Sequence, residues 1–188
     1  MIFPGHIAGG YLVTKLVIAV ASAHRLAVPA DQASTLIATG IIAGYLPDID
    51  MVFYLLRSRF STVPPKNQSH RNYITHAPLF WFAISFFVLG VGWIGSSAFT
   101  TLLGWILFAG TGSHFLFDSI EYGIMWLWPF STRRFAFRKY LYQPEIIAPT
   151  GTIAHYLEEF TKVWNKRVTF VLEVLVVIAA LLVFFHSN

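Results

Sequence analysis

Residues 168–185 read VTFVLEVLVVIAALLVFF and form the most uniformly apolar run in the chain. Glu173 is the only charged residue within it. At about 1.5 Å per residue, a helix of this length crosses most of the roughly 30 Å of hydrocarbon in a bilayer. The run therefore predicts a membrane-spanning helix.

Four more apolar segments precede this run. They cover roughly residues 6–28, 34–56, 77–94 and 98–126. A membrane barrel would require recurring strands of alternating polarity, which the sequence lacks, and open sheet edges are not viable in lipid. We therefore predict an all-α fold: a polytopic membrane helix bundle with about five transmembrane helices.

The composition of the chain agrees with this fold class. Of its 188 residues, 56% are hydrophobic and 12% are charged, with a mean hydropathy of +0.62. These values exclude a disordered chain and an ordinary soluble domain. The absence of cysteine excludes disulfides, thiolate zinc sites and thiol nucleophiles. We expect a single domain over 1–188, with a motif-bearing core at 1–131, a cytoplasmic loop at 127–167 and a final transmembrane helix at 168–186.

Basic residues set the predicted orientation. The loops at 57–75 and 127–167 hold eleven of the thirteen Lys and Arg residues, and with five spans both loops lie on the N-terminal side. By the positive-inside rule, the N-terminus and these loops are cytoplasmic and the C-terminus lies outside. The predicted location is the inner (plasma) membrane, as a multi-pass protein.

Ionisable side chains occur within or beside the predicted spans, where they are costly in lipid and usually functional. The candidates are His6, Asp48, Asp50, His70, Arg71, His76, His114 and Asp118. In the predicted topology they all lie toward the cytoplasmic end of the bundle. The sequence therefore predicts that distant stretches of chain meet in one polar layer.

The residue types in this layer suit a divalent metal ion. Imidazole and carboxylate ligands without thiolate fit zinc, manganese, iron or magnesium. His114 and Asp118 are four residues apart, so a helix presents both on one face. The structural alternatives are an ordinary helix pair for His114 and Asp118, a turn cap for the two aspartates after Pro47, and interfacial anchoring for His70, Arg71 and His76.

The motifs that carry these residues occur in a characteristic order. They are GHIAGG at 5–10, LPDID at 46–50, HRNYITH at 70–76, HFLFD at 114–118, and Gly123 followed by WPFS at 128–131. At these motifs the chain resembles the YdjM-like family of bacterial and archaeal inner-membrane proteins, described as LexA-regulated, predicted metal-dependent hydrolases. That family is thought to be distantly related to zinc-dependent phospholipases C and P1-type nucleases.

The resemblance implies a zinc phospholipase C-like helical core that binds two or more divalent ions, zinc before manganese, iron or magnesium. The implied metal ligands are His6, Asp48, Asp50, His70, His76, His114 and Asp118. The implied reaction is hydrolysis of a phosphoester or phosphodiester by metal-activated water. The implied partners are membrane lipids and a lipid or lipid-linked substrate, with nucleic acid not the main partner.

Within that reaction, Asp48 or Asp50 is the candidate general base and Arg71 the candidate phosphate-binding cation. Two non-catalytic functions stay open, a metal transporter and an interaction scaffold. His155 and Glu159 also have a spacing used by metal sites, although their charged neighbours favour a solvated helix face. Substrate, metal stoichiometry and oligomeric state are not determined by the sequence.

Overall fold

The computed structural model describes residues 3–24, 28, 30–57, 73–138 and 167–186. These ranges contain six α-helices: α1 (Phe3–Ala23), α2 (Ala30–Tyr45), α3 (Ile49–Arg57), α4 (Pro78–Ile94), α5 (Ala98–Asp118) and α6 (Val168–His186). Two short 3-10 turns lie at Leu46–Asp48 and Ile74–His76. Extended pairing within the described ranges is limited to one antiparallel bridge between Ile124 and Phe135.

The helices confirm the predicted membrane bundle. Four stretches are long and apolar enough to cross a bilayer: Pro4–Ala23, Asp31–Phe53, Ala98–Asp118 and Val168–His186. Pro78–Ile94 is a shorter apolar helix of 17 residues, at the lower limit for a span. The exposed side chains of α6 are almost all large and apolar, as a lipid-facing helix requires: Val168, Val171, Val174, Leu175, Ile178, Leu181, Leu182, Phe184 and Phe185.

Helix α5 lies at the centre of the bundle. It packs against α1, α2 and α4, and α1 in turn packs against α2 and α6. Helices α4 and α5 form an antiparallel hairpin, in which the Thr100 amide donates to Oγ of the N-cap residue Ser97 at 3.2 Å. The hairpin places the start of α4 and the end of α5 at the same end of the bundle.

Glycines allow α1 and α2 to approach closely. A Cβ atom at Gly10 would overlap the carbonyl oxygen of Gly40, and one at Gly44 would overlap the carbonyl oxygen of His6. Small residues at a crossing point allow membrane helices to pack backbone against backbone. The first turn of α1 therefore lies directly against the last turn of α2.

Three of the predicted segments end or bend earlier than the apolar pattern indicated. Helix α1 ends at Ala23 rather than near residue 28, and the second segment is interrupted by the 3-10 turn around Pro47. The segment predicted to reach residue 126 ends as a helix at Asp118, whose carbonyl oxygen accepts from the amides of Tyr122 and Gly123. Gly123 has a φ of 80°, which a glycine adopts without strain, so the chain reverses there despite its apolar sequence.

Candidate metal centre

Six of the predicted site residues meet at one end of the bundle. They are His6, Asp48, Asp50, His76, His114 and Asp118. All are fully buried except Asp48, whose side chain is 13% exposed. The predicted candidates His70, Arg71, His155 and Glu159 lie outside the described residues.

Local structure brings these side chains to one level. His6 lies in the first turn of α1, and His114 and Asp118 lie one turn apart at the end of α5. Pro47 is in the 3-10 turn between α2 and α3, and this junction carries Asp48 and Asp50. The second 3-10 turn ends at His76, just before Pro78 begins α4.

The Asp118 carboxylate lies between two imidazoles. Its Oδ1 atom is 3.3 Å from Nε2 of His6, and its Oδ2 atom is 3.4 Å from Nε2 of His76. Because His6 belongs to α1 and His76 precedes α4, this one carboxylate joins three helices. Asp118 is thus the central acidic group of the cluster.

A backbone contact fixes the tautomer of His114. Its Nδ1 atom is 3.0 Å from the carbonyl oxygen of Gly44. A carbonyl oxygen only accepts, so Nδ1 carries the proton and the lone pair of the neutral ring lies on Nε2. Nε2 lies 3.7 Å from Oδ1 of Asp48 and makes no hydrogen bond within the described ranges. His114 therefore presents a free lone pair to the cluster.

His76 is oriented by a carboxylate. Its Nδ1 atom donates to Oδ2 of Asp50 at 2.9 Å, and Asp48 Oδ1 is 3.9 Å from the same nitrogen. The other ring nitrogen, Nε2, faces Oδ2 of Asp118 at 3.4 Å, and in a neutral ring it carries the lone pair that an ion could bind. A carboxylate behind an imidazole is the usual arrangement around metal-ligating histidines, because it fixes the ring and increases its basicity. The geometry thus favours Asp50 as the residue that orients His76; its role as a direct ligand stays a prediction.

We expect Asp50→Asn to weaken metal binding about 10–100-fold, with the amount bound at saturation unchanged. The amide keeps the shape of the carboxylate but removes the charge that polarises His76. Titration of the metal-free protein with zinc in detergent measures this affinity. Asp31→Asn is a matched control, because Asp31 is an exposed residue in the first turn of α2. Loss of stoichiometric binding in Asp50→Asn would instead identify Asp50 as a ligand.

The imidazole of His6 is fully buried. Neither of its ring nitrogens has a hydrogen-bond partner within the described residues, although Asp118 lies near Nε2. The ring stacks on His114 with centroids 3.9 Å apart and planes inclined by 24°. Burying a polar group without a hydrogen bond is costly, and such groups in native proteins usually have an ion or water as partner. His6 thus fits the role of a metal ligand.

The spacing of the ligand atoms also suits a small divalent ion. A tetrahedral zinc ion with bonds of about 2.0–2.1 Å separates neighbouring ligand atoms by about 3.3 Å. The two contacts of Asp118, at 3.3 and 3.4 Å, match this value and are longer than a good N–H···O hydrogen bond. The donor set therefore fits a metal in both chemistry and distance.

Two groups of three residues have ligand atoms that all lie within 4.8 Å of one another: His6, His114 and Asp118, and Asp48, His76 and His114. Both groups contain His114, which offers only its Nε2 atom because Nδ1 is bonded to Gly44. One nitrogen lone pair binds one ion. The arrangement therefore supports one principal ion at His114, and the expectation of two or more ions stays a prediction.

Sequence reasoning missed Gly44 and the contact made by Glu173. Gly44 both accepts from His114 and allows the backbone of His6 to approach, but nothing in the sequence distinguishes it from other helical glycines. In the sequence, Glu173 is only a charged residue within an apolar span. In the structure its buried carboxylate accepts from the Gly5 amide, next to His6 in the chain.

The whole chain matches one known protein family. The family described as YdjM inner membrane protein matches residues 1–188. The chain belongs to this family. YdjM membership agrees with the apolar helices of the bundle and extends over α6, beyond the core at 1–131 that carried the sequence resemblance. No curated protein and no solved structure gives a significant match.

Proposed function

We propose that this YdjM family member is a membrane-embedded, metal-dependent hydrolase that cleaves a phosphoester or phosphodiester of a lipid or lipid-linked substrate. The observation that carries the proposal is the buried cluster of three imidazoles and three carboxylates, with ligand-atom spacings that suit a small divalent ion. This cluster joins α1, α5, the start of α3 and the turns before α3 and α4 at one end of the bundle.

The charge of the cluster supports a resident cation. With neutral imidazoles, the side chains of Asp48, Asp50 and Asp118 bring a charge of about −3 to a mostly buried site. Concentrating like charges in a low-dielectric interior is strongly unfavourable. A divalent ion would offset most of this charge, and it would satisfy one ring nitrogen of His6 and Nε2 of His114.

The residues of the cluster would have different roles in the reaction. A bound divalent ion would supply Lewis acidity toward water and toward a phosphoryl oxygen. Of the three carboxylates, Asp48 is the one with solvent access, so it is positioned to accept a proton as general base. Asp50 holds His76 in place, and the fully buried imidazoles exclude bulk water from the inner side of the site.

A cavity beside the cluster supports an apolar substrate. It has a volume of about 640 Å³ and is lined by Phe53, Leu56, Tyr73, Ile74 and Thr75. Thr75 directly precedes His76 in the chain, so one lining residue is a sequence neighbour of the cluster. The lining that the described residues provide is mostly apolar. We infer that it receives the hydrocarbon chain of a lipid whose phosphoester lies at the metal.

Exposed arginines support an anionic substrate and the orientation in the membrane. Arg133, Arg134 and Arg138 are exposed in the segment that folds back after α5, at the same end as the cluster. Clustered cations at a bilayer surface attract anionic head groups. We propose that this end faces the cytoplasm of an inner membrane, in agreement with the positive-inside rule.

The test is hydrolysis of phospholipid in mixed micelles by the detergent-purified protein. We expect zinc- or manganese-loaded protein to release the head group or phosphate, chelation to abolish the reaction, and the metal to restore it. A long-chain lipid should be cleaved faster than a water-soluble phosphodiester, because only the lipid fills the cavity beside Thr75.

Two results would count against the proposal. Full hydrolytic activity in a metal-free preparation would exclude the metal mechanism. Metal-dependent ion flux across vesicles without any phosphoester cleavage would instead favour a transporter. The polar cluster lies at one end of the bundle rather than along a path through it, which favours the hydrolase.

A further inference from the structure

Two buried polar contacts lie on one face of α6. Oε1 of Glu173 accepts from the backbone amide of Gly5 at 3.0 Å, and Oγ1 of Thr169 donates to Oε2 of Glu121 at 2.8 Å. Thr169 and Glu173 are four residues apart, so they lie on the same helix face. Both side chains are buried in the structure, and Glu173 is only 3% exposed.

Each contact lies close to a residue of the candidate metal centre. Gly5 immediately precedes His6, and Glu121 is three residues after Asp118. The turn containing Glu121 is itself fixed to the end of α5, because the Tyr122 amide donates to the Asp118 carbonyl oxygen at 3.0 Å. Through these contacts, the face of α6 that carries Thr169 and Glu173 is linked both to the turn that holds His6 and to the turn that follows Asp118.

The contact with Gly5 has a clear physical basis. The first four amides of a helix have no partner within the helix, and Gly5 is the third residue of α1. A buried carboxylate satisfies this amide and also lies at the positive end of the α1 dipole. Removing it would leave a buried amide unpaired beside His6 and would free the first turn of α1 to shift.

We propose that Glu173 is a positioning residue for the metal centre: it holds the first turn of α1 so that His6 faces Asp118. This inference rests on the proposed function. It makes the last membrane helix part of the site, although α6 contributes no ligand. Thr169, through its hydrogen bond to Glu121, would hold the turn that follows Asp118 and so help to keep Asp118 facing His6.

The test is zinc affinity and thermal unfolding of the metal-free protein, measured in detergent for the wild type and three variants. Glu173→Ala should bind zinc about 10–100-fold more weakly, as expected when a group that orients a ligand is lost. Glu173→Gln retains an accepting oxygen for the Gly5 amide and should lose less than Glu173→Ala. Thr169→Val, which keeps the side-chain shape, should also lower the affinity.

Ala180→Gly separates positioning from general destabilisation. Ala180 is buried on α6 two turns beyond Glu173, and glycine there lowers helix stability without reaching the site. This variant should unfold at a lower temperature and bind zinc as the wild type does. If Glu173→Ala does not fold, the Glu173→Gln and Thr169→Val variants carry the test.

The outcomes separate this inference from the proposed function. Wild-type protein that binds no divalent metal would overturn both. Wild-type binding with unchanged zinc affinity in the Glu173 and Thr169 variants would overturn the positioning role alone. An equal loss of affinity in Ala180→Gly would also overturn it, because the effect would then follow stability.

Discussion

The Asp118→Ala variant should purify without its divalent ion, whereas the wild type retains it. Asp118 contacts both His6 and His76, so its removal takes a ligand and the link between two imidazoles. Loss of groups that only orient a ligand costs about 10–100-fold in affinity, and loss of a central ligand should cost more. Elemental analysis after detergent purification measures the bound metal, and lipid hydrolysis should fall in parallel.

Asp31→Ala is the matched control for this experiment. Asp31 is also an aspartate in a helix, but it is exposed at the start of α2. It should keep the metal content and activity of the wild type. Equal metal content in wild type and Asp118→Ala would refute the assignment of Asp118 and remove the central group of the proposed site.

Replacing His114 by alanine should remove the ion that its Nε2 atom binds, and should abolish metal binding completely if the site holds one ion. Nε2 of His114 belongs to both candidate ligand groups, whereas His6 belongs to one. A comparison with His6→Ala therefore reports on the number of ions. If the site holds one ion, both variants lose it; if it holds two, His6→Ala and His114→Ala should each retain one.

Unfolding of the metal-free His114→Ala protein measures how far the substitution also destabilises the fold. Removing the ring takes away the stacking partner of His6 and the hydrogen bond to Gly44, and both losses occur in a packed interior. His24→Ala, at an exposed position after α1, controls for the loss of an imidazole. A His114→Ala protein that binds zinc with wild-type affinity would contradict a ligand role.

Both predictions depend on residues that the sequence alone singles out. Imidazoles and carboxylates at the ends of apolar segments are costly in lipid, so their type and position by themselves indicate a functional site. The four-residue spacing of His114 and Asp118 places them on one face through helix geometry alone. The roles within the cluster do not follow from sequence, in which Asp48 and Asp50 are equivalent candidates. Tertiary packing distinguishes them, because it places Asp50 against His76 and leaves Asp48 partly exposed.

The ends of the apolar segments show a second limit. Hydropathy predicted a span over 98–126, but the helix stops at Asp118 because the chain turns and residues 119–138 fold back on it. The amide of Phe137 donates to the Ser119 carbonyl oxygen at 2.8 Å, a contact that no local pattern encodes. Of the apolar side chains in this return, Ile124 and Met125 are buried, whereas Leu127, Phe130, Phe135 and Phe137 stay exposed.

The sequence by itself determined the helical membrane bundle, because hydropathy and helix spacing depend on residues a few positions apart. It also determined which ionisable side chains lie at the segment ends. Only the tertiary structure decided the ring tautomer of His114 and the contact of Glu173 with α1, which join atoms 70 and 168 residues apart. Hydrogen bonds over such separations depend on how the helices pack, and close packing at Gly10 and Gly44 sets that arrangement.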